Sequence, residues 1–462
     1  MKRNHLSGGP ARKDFKLNQS QQPLSDTIYA LSSGALPAGV AVVRISGPHT
    51  PDVLTALCGS LPLPRQAVLR SIRNRNGDVL DQGLIFHFAA PASFTGEDCA
   101  ELQVHGGRAV VNAILAELEL FPGLRHAEAG EFSRRAFHNG KLDLVEIEGL
   151  ADLIAAETEM QRRLAQEHSS GHLSMVYDGW ARRLTHARAM IEAELDFADE
   201  DDVPGSVADR IWADMRLLKT EIEAHLDGAG VAEIIRDGLK IVIAGEPNAG
   251  KSSLLNHLAR RDVAIVTDIA GTTRDILSVD LSLAGFRVQL FDTAGLRETD
   301  DRVEQEGIRR AYLSIDQADI VLLLADTPHG FAALGEDQRT KPLIRIGTKI
   351  DRSPDLWDKA DADVLISTET GAGIDRLLEL LVEQLPDLSG RNALSLPTRK
   401  RHVSCLKQTL SAIEMSLVQS NRGLDIQAEY LRQAGDALGR ITGRVDVEDL
   451  LGVIFSEFCI GK

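Results

Sequence analysis

The sequence predicts a chain of three kinds of folded region: an α+β domain, a set of long amphipathic helices, and an α/β domain built on a parallel sheet around a phosphate-binding loop. Three observations lead there. Short β-branched runs broken by turn residues fill the first part, as in "AGVAVVRISGP", "VLDQGLIFHF" and "AELQVHGG". Apolar residues then recur at helical spacing, first at Ile147, Leu150, Ala151, Ile154 and Ala155, and again at Trp180, Leu184, Ala187, Ile191, Leu195 and Ala198. From Lys240 apolar runs alternate with Gly-rich turns and helices ("KIVIAG", "RVQLFD", "DIVLLLAD", "PLIRIG", "DVLIS"), the pattern of parallel strands joined by crossover helices. After Leu388 the helical texture returns and persists to the end.

A chain of 462 residues exceeds what one hydrophobic core usually supports. The boundaries expected are a disordered tail over 1–25, the α+β domain over 26–141, helices over 142–237 and 389–462, and the α/β domain over 238–388. The two sets of helices allow two arrangements. Either each forms its own domain, or one helical domain is interrupted by the inserted α/β domain, so that two sets too small for a good core bury one another. The final helix carries Val447, Leu450, Leu451, Ile454, Phe455 and Phe458 on one face, with Asp446 at its N-cap. That stripe anchors the terminal "FCIGK" in a core, and Gly461 lets the backbone turn toward a neighbouring surface.

Composition excludes several classes. With 43% hydrophobic and 26% charged residues and no apolar run long enough to span a bilayer, the chain reads as a globular protein without membrane contact. A net charge of −17 argues against holding nucleic acid by a general electrostatic field, so such work needs a local patch or a basic partner. The cysteines, Cys58, Cys99, Cys405 and Cys459, lack metal-ligand spacing and point to a reducing, cytoplasmic compartment. The acidic run Glu192 to Asp202 reads as a solvated helix end and loop, and the basic opening segment as a tail rather than a secretory signal.

The chemistry is concentrated after Lys240. "GEPNAGKS", Gly245 to Ser252, matches G-x-x-x-x-G-K-[ST] between a strand and a helix, the context in which backbone N–H groups converge on phosphates. Lys251 then reaches the terminal phosphates and Ser252 a Mg²⁺ ion; Asn248, Ala249, Gly250 and Ser253 complete the contact surface. A switch segment follows, "AGTTRD" (Ala270 to Asp275), with a threonine able to close over the metal; Thr267, Asp268, Ile269, Ala270, Gly271, Thr272 and Thr273 are the nucleotide contacts expected there. "FDTAG" ends a strand and places Asp292 as a magnesium-directed carboxylate beside Thr293, Ala294 and Gly295. Thr348, Lys349, Ile350 and Asp351 follow another strand, with Asp351 facing a guanine edge; Ser367, Thr368 and Glu369 lie near the base. Five elements in this order make the pattern of a GTPase.

Two departures stand out. The base element is Thr-Lys-Ile-Asp where Asn-Lys-x-Asp is usual, which weakens the contact from its first position and leaves the discriminating Asp351. The residue after "DTAG" is Leu296, where Ras-like proteins carry a glutamine that orients the attacking water. A carboxylate suits that task, and Glu304 and Glu306 both lie within reach in sequence, alongside Arg297 and Glu298.

The phosphate loop, "GTTRD", "DTAGLR", the split helical texture and terminal "FCIGK" together resemble the MnmE (TrmE) family of tRNA modification GTPases. The resemblance covers Asp26 to Lys462 and includes "DTIYALSSGALPAGVAVVRISG", "SFTGEDCAELQVHGG" and "AGEFSRRAFHNGKLDLVEIEGLADLI" in the first domain. Ala129 and Ser133 stand where the family usually has Pro and Thr, a mild change in turn stiffness.

The resemblance implies an N-terminal folate-binding α+β domain that holds a homodimer together, a discontinuous α-helical domain, and an inserted Ras-like G domain that pairs across its nucleotide face when K⁺ is present. It implies an FAD-dependent partner, MnmG (GidA), forming a heterotetramer. It also implies a tRNA substrate whose wobble uridine gains an aminomethyl-type group at carbon 5. A tetrahydrofolate derivative, in 5-formyl or methylene form, supplies the one-carbon unit. By the same resemblance Asn248, Thr267, Ile269 and Thr272 match potassium ligands, Ser252 and Thr273 magnesium ligands, and Glu304 the water-positioning acid. Arg44, Glu101 and Lys141 match the folate pocket, with Lys462 reaching into it and Cys459 near the one-carbon donor. The competing expectation is a ribosome-assembly GTPase switch without base chemistry, which would need a basic RNA-binding domain.

Overall fold

The computed structural model describes residues 26–196, 207–261, 263–265, 278–292, 318–333, 341–352, 354–357, 362–388, 394–418, 423–445, 451, 454–455 and 461. The chain divides into two compact units, Met1–Ala151 with Ser174–Met215 and Gln408–Lys462, and Asp152–Leu173 with Arg216–Lys407.

In the first unit, β1 (Thr27–Leu31), β2 (Ala38–Ser46), β3 (Val68–Arg73), β4 (Val79–Phe88), β5 (Cys99–Gly106) and β6 (Leu124–His126) form one sheet in the order β3-β4-β5-β2-β1-β6. Every pairing is antiparallel except β1 with β6. The strands alternate, so Ile85, Leu102, Val104 and Val43 face inward against Val53, Leu54 and Leu57 of the helix Thr50–Cys58 and Val111 and Ile114 of the helix Arg108–Glu119. Arg44 and Glu101 occupy the opposite phase of β2 and β5 and are directly paired in register.

Helices complete this unit. Leu451 and Phe455 pack with Phe137, Leu144 and Ile147, which is the stripe expected for the end of the chain; its other positions, Val447, Leu450 and Phe458, lie outside the described residues. Within the helix His172–Asp196, Leu184, Ala187 and Ile191 are buried as their spacing predicts, whereas Leu195 near its end is 39% exposed. Arg183 pairs with Asp214 at 2.7 Å, and Arg444, past the helix Leu424–Thr442, pairs with Asp178.

The second unit holds the other sheet: β7 (Leu239–Gly245), β8 (Ser278–Leu283), β9 (Phe286–Asp292), β10 (Ile320–Ala325), β11 (Leu343–Gly347) and β12 (Val364–Leu365), in the order β12-β11-β10-β7-β9-β8. Five strands run parallel, as the alternation of apolar strands with Gly-rich turns and helices predicts, and β8 is an antiparallel edge. Strand β8 alternates apolar and polar residues and is joined to β9 by Ala284-Gly285, both at positive φ. Its Leu281 and Leu283 face the same core as Ile241, Ile243, Leu254, Leu322 and Leu377. In this unit the helix Glu159–Ser169 starts with a reciprocal cap between Thr158 and Gln161 and packs with Ile235, Phe286 and Leu394. Ile154, expected on a buried stripe, is 48% exposed because it lies at a helix end.

Candidate functional site

The phosphate loop sits where β7 gives way to the helix Lys251–Leu258. Its backbone is demanding: Asn248 has φ 67° and Gly250 φ 94°, so consecutive N–H groups turn inward ahead of the helix N-terminus. At Gly245, φ is 140° and a Cβ would lie 2.1 Å from Leu324 O, so only glycine lets the loop leave β7 beside β10. Lys251 is 7% exposed, and its ammonium is folded over the loop by donation to Gly245 O at 2.9 Å and Glu246 O at 2.8 Å.

Ser252 Oγ donates to Asp292 Oδ2 at 2.8 Å, joining the first turn of that helix to the end of β9. Asp292 is 3% exposed. A hydroxyl and a buried carboxylate in contact are hard oxygen donors of the kind Mg²⁺ takes, so this pair fits the metal.

On the other side of the loop, Thr348 follows β11. Its Oγ1 lies 2.8 Å from Ala249 O and 3.2 Å from Ala325 O, and its N–H also meets Ala325 O. Lys349, at φ 57°, donates to Asp326 at 2.9 Å. Ser367 is fully buried and donates to Asp351 Oδ1 at 2.5 Å; that bond holds the Asp351 carboxyl below the usual carboxylate range. The carbonyl of Thr368 meets His257 Nδ1 at 3.1 Å, tying the last loop to the helix behind the phosphate loop. Asn248, Ser252, Ser253 and Glu369 are exposed, while Ala249 is buried. The structure thus brings together Asn248 to Ser253, Asp292, Thr348 to Asp351 and Ser367 to Glu369 around one end of the sheet. The switch positions Thr267 to Thr273, Thr293 to Gly295 and Glu304 lie outside the described residues.

A second cluster lies in the first unit. Arg44 donates to Glu101 Oε1 from Nη2 at 2.9 Å and from Nε at 3.2 Å. Its guanidinium carbon stands 5.4 Å from the Phe94 ring centre and 5.7 Å from that of Phe132. The loop that supplies Phe94 also receives Lys141, whose Nζ donates to Pro91 O at 3.0 Å. The exposed Phe94 ring with a part-open guanidinium and carboxylate can take a flat heterocycle with both donors and acceptors, while Phe132 is buried behind Arg44. Phe94 and Phe132 were not among the residues the sequence singled out; both stand in quoted segments, "SFTGEDC" and "AGEFSRR", but an aromatic there reads equally as core.

Beneath this cluster runs a buried ionic network. Arg135 is fully buried and meets Asp26 at 3.0 Å, Glu97 at 3.1 Å and Glu131 at 3.0 Å. Burial alone would raise the Glu131 carboxyl, but hydrogen bonds from Arg125, the Glu128 N–H and Arg135 bring it down to about 2. Nothing in periodicity announces such a network, because its members come from four separate segments.

Gly461 is docked against β1. Gly461 is buried at φ 98°, Ser32 Oγ donates to its carbonyl at 2.5 Å, and a Cβ there would lie 2.2 Å from Leu31 O. Leu31 ends β1, whose Ala30 pairs with Arg44, so the last described residue lies beside the strand pair that carries the Arg44–Glu101 contact. Cys459 and Lys462 lie outside the described residues. Among the described residues Cys58, Cys99 and Cys405 are buried thiols outside any disulfide, no cluster of three metal-ligating side chains occurs, and no helix is long and apolar enough to cross a membrane.

Two family models match the chain: the MnmE helical domain over residues 144–459 and the GTP-binding protein TrmE N-terminus over residues 27–141. The tRNA modification GTPase MnmE of Rhizobium meliloti (strain 1021) is 69% identical over 438 residues, covering 95% of this chain and 99% of that one. The protein of the same name from Sinorhizobium medicae (strain WSM419) is 69% identical over 440 residues, again covering 95% and 99%. Among solved structures, the G domain of the T. maritima FeoB iron transporter is 28% identical, covers 31% of this chain and 97% of its own, and has a TM-score of 0.24. From the family models and the full-length relatives, the chain belongs to the MnmE (TrmE) family of tRNA modification GTPases.

Proposed function

We propose that this chain hydrolyses GTP as one component of a complex that modifies the wobble uridine of tRNA at carbon 5. The observation that carries the reading is the contact between Ser252 and Asp292 beside the buried Lys251, in a chain 69% identical to named tRNA modification GTPases. In this reading the loop amides and Lys251 hold the phosphates, Ser252 and Thr273 ligate Mg²⁺, and Asp292 orients that ion's shell. Asn248, with Thr267, Ile269 and Thr272, holds K⁺. When bound, the two cations neutralise charge that develops between the phosphates. Glu304 accepts a hydrogen bond from the attacking water, and Asp351 accepts from the guanine edge.

In the first domain Glu101 takes the donor edge of a folate pterin while Arg44 and Lys141 attract its anionic parts; the bound tetrahydrofolate derivative supplies the one-carbon unit. Phe94 gives that heterocycle an apolar wall, while Phe132, buried in the core, backs the Arg44 guanidinium. Docking of Gly461 at β1 supports a role for Cys459 and Lys462 at the same pocket. The partners are a second copy of the chain, held through residues 26–141, an FAD-containing MnmG subunit, and tRNA, all in the cytoplasm. Helices from both sides of the α/β segment meet, through Asp178 with Arg444, Asp152 with Arg399 at 2.7 Å, and Arg236 with Thr398 O at 3.0 Å. Those contacts support one helical domain, 142–237 with 389–462, interrupted by a G domain at 238–388.

Deleting Cys459 to Lys462 tests the reading. GTP hydrolysis is expected to stay near the full-length rate while the modified wobble nucleoside disappears from total tRNA measured by mass spectrometry. Unchanged modification would remove the chemical role of the terminus.

A further inference from the structure

The hydroxyl of Thr348 is committed inside the protein. Thr348 is 4% exposed, and the oxygens nearest its Oγ1 are two backbone carbonyls, Ala249 O at 2.8 Å and Ala325 O at 3.2 Å. Carbonyls only accept, and a threonine hydroxyl has one proton, so that proton goes to one of these two oxygens. An asparagine at this place, as in Asn-Lys-x-Asp, has two amide protons: one can hold the loop and the other can face a base. Threonine has none left. Guanine N7 offers a lone pair alone, and a hydroxyl whose proton is used offers a lone pair too, so the two make no hydrogen bond.

We propose that Thr348 pins the phosphate loop to the sheet and gives no hydrogen bond to purine N7, so that hydrogen bonding to the base in this chain rests on Asp351, oriented by Ser367. The inference rests on the GTP-site reading above. Several contacts bear on it. The pin spans from β11 to the loop, it borders Gly250, whose added Cβ would lie 3.8 Å from the Thr348 side chain, and Ser367 aims Asp351 independently of it. Base recognition and loop position, carried jointly by one side chain in an asparagine protein, are separated here.

The test is competition binding of GDP and 7-deaza-GDP, in which N7 is a C–H, against a fluorescent GDP on the full-length chain with Mg²⁺. The wild-type chain is expected to bind the two within twofold. Thr348→Asn is expected to favour GDP over 7-deaza-GDP by about fivefold, the worth of one neutral hydrogen bond. Thr348→Val, which removes the pin, is expected to weaken both in equal proportion. A wild-type chain that binds 7-deaza-GDP fivefold worse than GDP overturns the proposal, as does Thr348→Asn with no preference between them. Absence of GDP binding altogether overturns the GTP-site reading instead, and the two failures are told apart by the unmodified nucleotide alone. The wild-type comparison needs no variant to fold.

Discussion

Lys251 carries a full charge at 7% exposure, a position that costs several kcal/mol unless the ammonium keeps its hydrogen bonds. Gly245 O and Glu246 O supply them, so the side chain is held aimed across the loop. The same reasoning applies to the water that attacks GTP. Leu296, after "DTAG", has no side-chain polar atom to orient it, and the proposed function gives that task to the Glu304 carboxylate. Glu304→Ala is therefore expected to leave GTP affinity within about twofold and to slow turnover by roughly 10²- to 10⁴-fold, the usual range for loss of a general base. Nucleotide binding measured beside single-turnover hydrolysis checks this, and loss of binding would make the residue structural. The place of Lys251 was legible in the phosphate-loop motif, whereas Glu304 was singled out only by resemblance to the family. What Thr348 does with its one proton was not legible, because Ala249 and Ala325 are distant in sequence and meet only when β10, β11 and the loop assemble.

At the scale of elements, the helix Glu131–His138 is fastened by the network around Glu131, Arg125 and Arg135. Glu131 is 1% exposed, and its carboxyl lies at about 2 in the fold against 4.5 for a free glutamate. A depressed carboxyl stabilises the fold above its unfolded value and loses that contribution as pH falls through the folded one. Between pH 4.5 and 2 the first domain is therefore expected to lose about 3 kcal/mol from this group. Urea midpoints at pH 7, 4 and 3 would show the loss, and Glu131→Gln should flatten it; equal slopes in the two proteins would assign the acid sensitivity elsewhere. Strands were read well where apolar residues are dense, as in β7 and β10, and also in β9 and β11, where single polar residues interrupt the run. Strand β8 escaped notice although Ala284-Gly285 marks its hairpin, because an alternating half-polar edge is a weaker signal than a buried run.

At the scale of the whole molecule, the proposed function makes hydrolysis depend on K⁺. Asn248 is exposed in the phosphate loop with φ 67°, and its side-chain oxygen is the kind of hard donor that suits a monovalent cation. GTP turnover is expected to be at least tenfold faster in K⁺ than in Na⁺ at equal ionic strength, with Asn248→Ala erasing most of the difference. Equal rates in both salts would reject the potassium site.

What the sequence alone determined is the nucleotide chemistry, the alternation that builds each sheet, and the family. These are written in local order, as spacing between residues that stay neighbours after folding. Only the tertiary structure decided which side chains share a proton or a charge. Arg44 meets Glu101 because β2 pairs with β5, Arg135 gathers Asp26, Glu97 and Glu131 into one buried network, and Ser32 receives Gly461 across nearly the whole chain. The physical reason is common to all three. A hydrogen bond acts over about 3 Å, and no periodicity along a chain encodes which distant segments a closed core will bring that near.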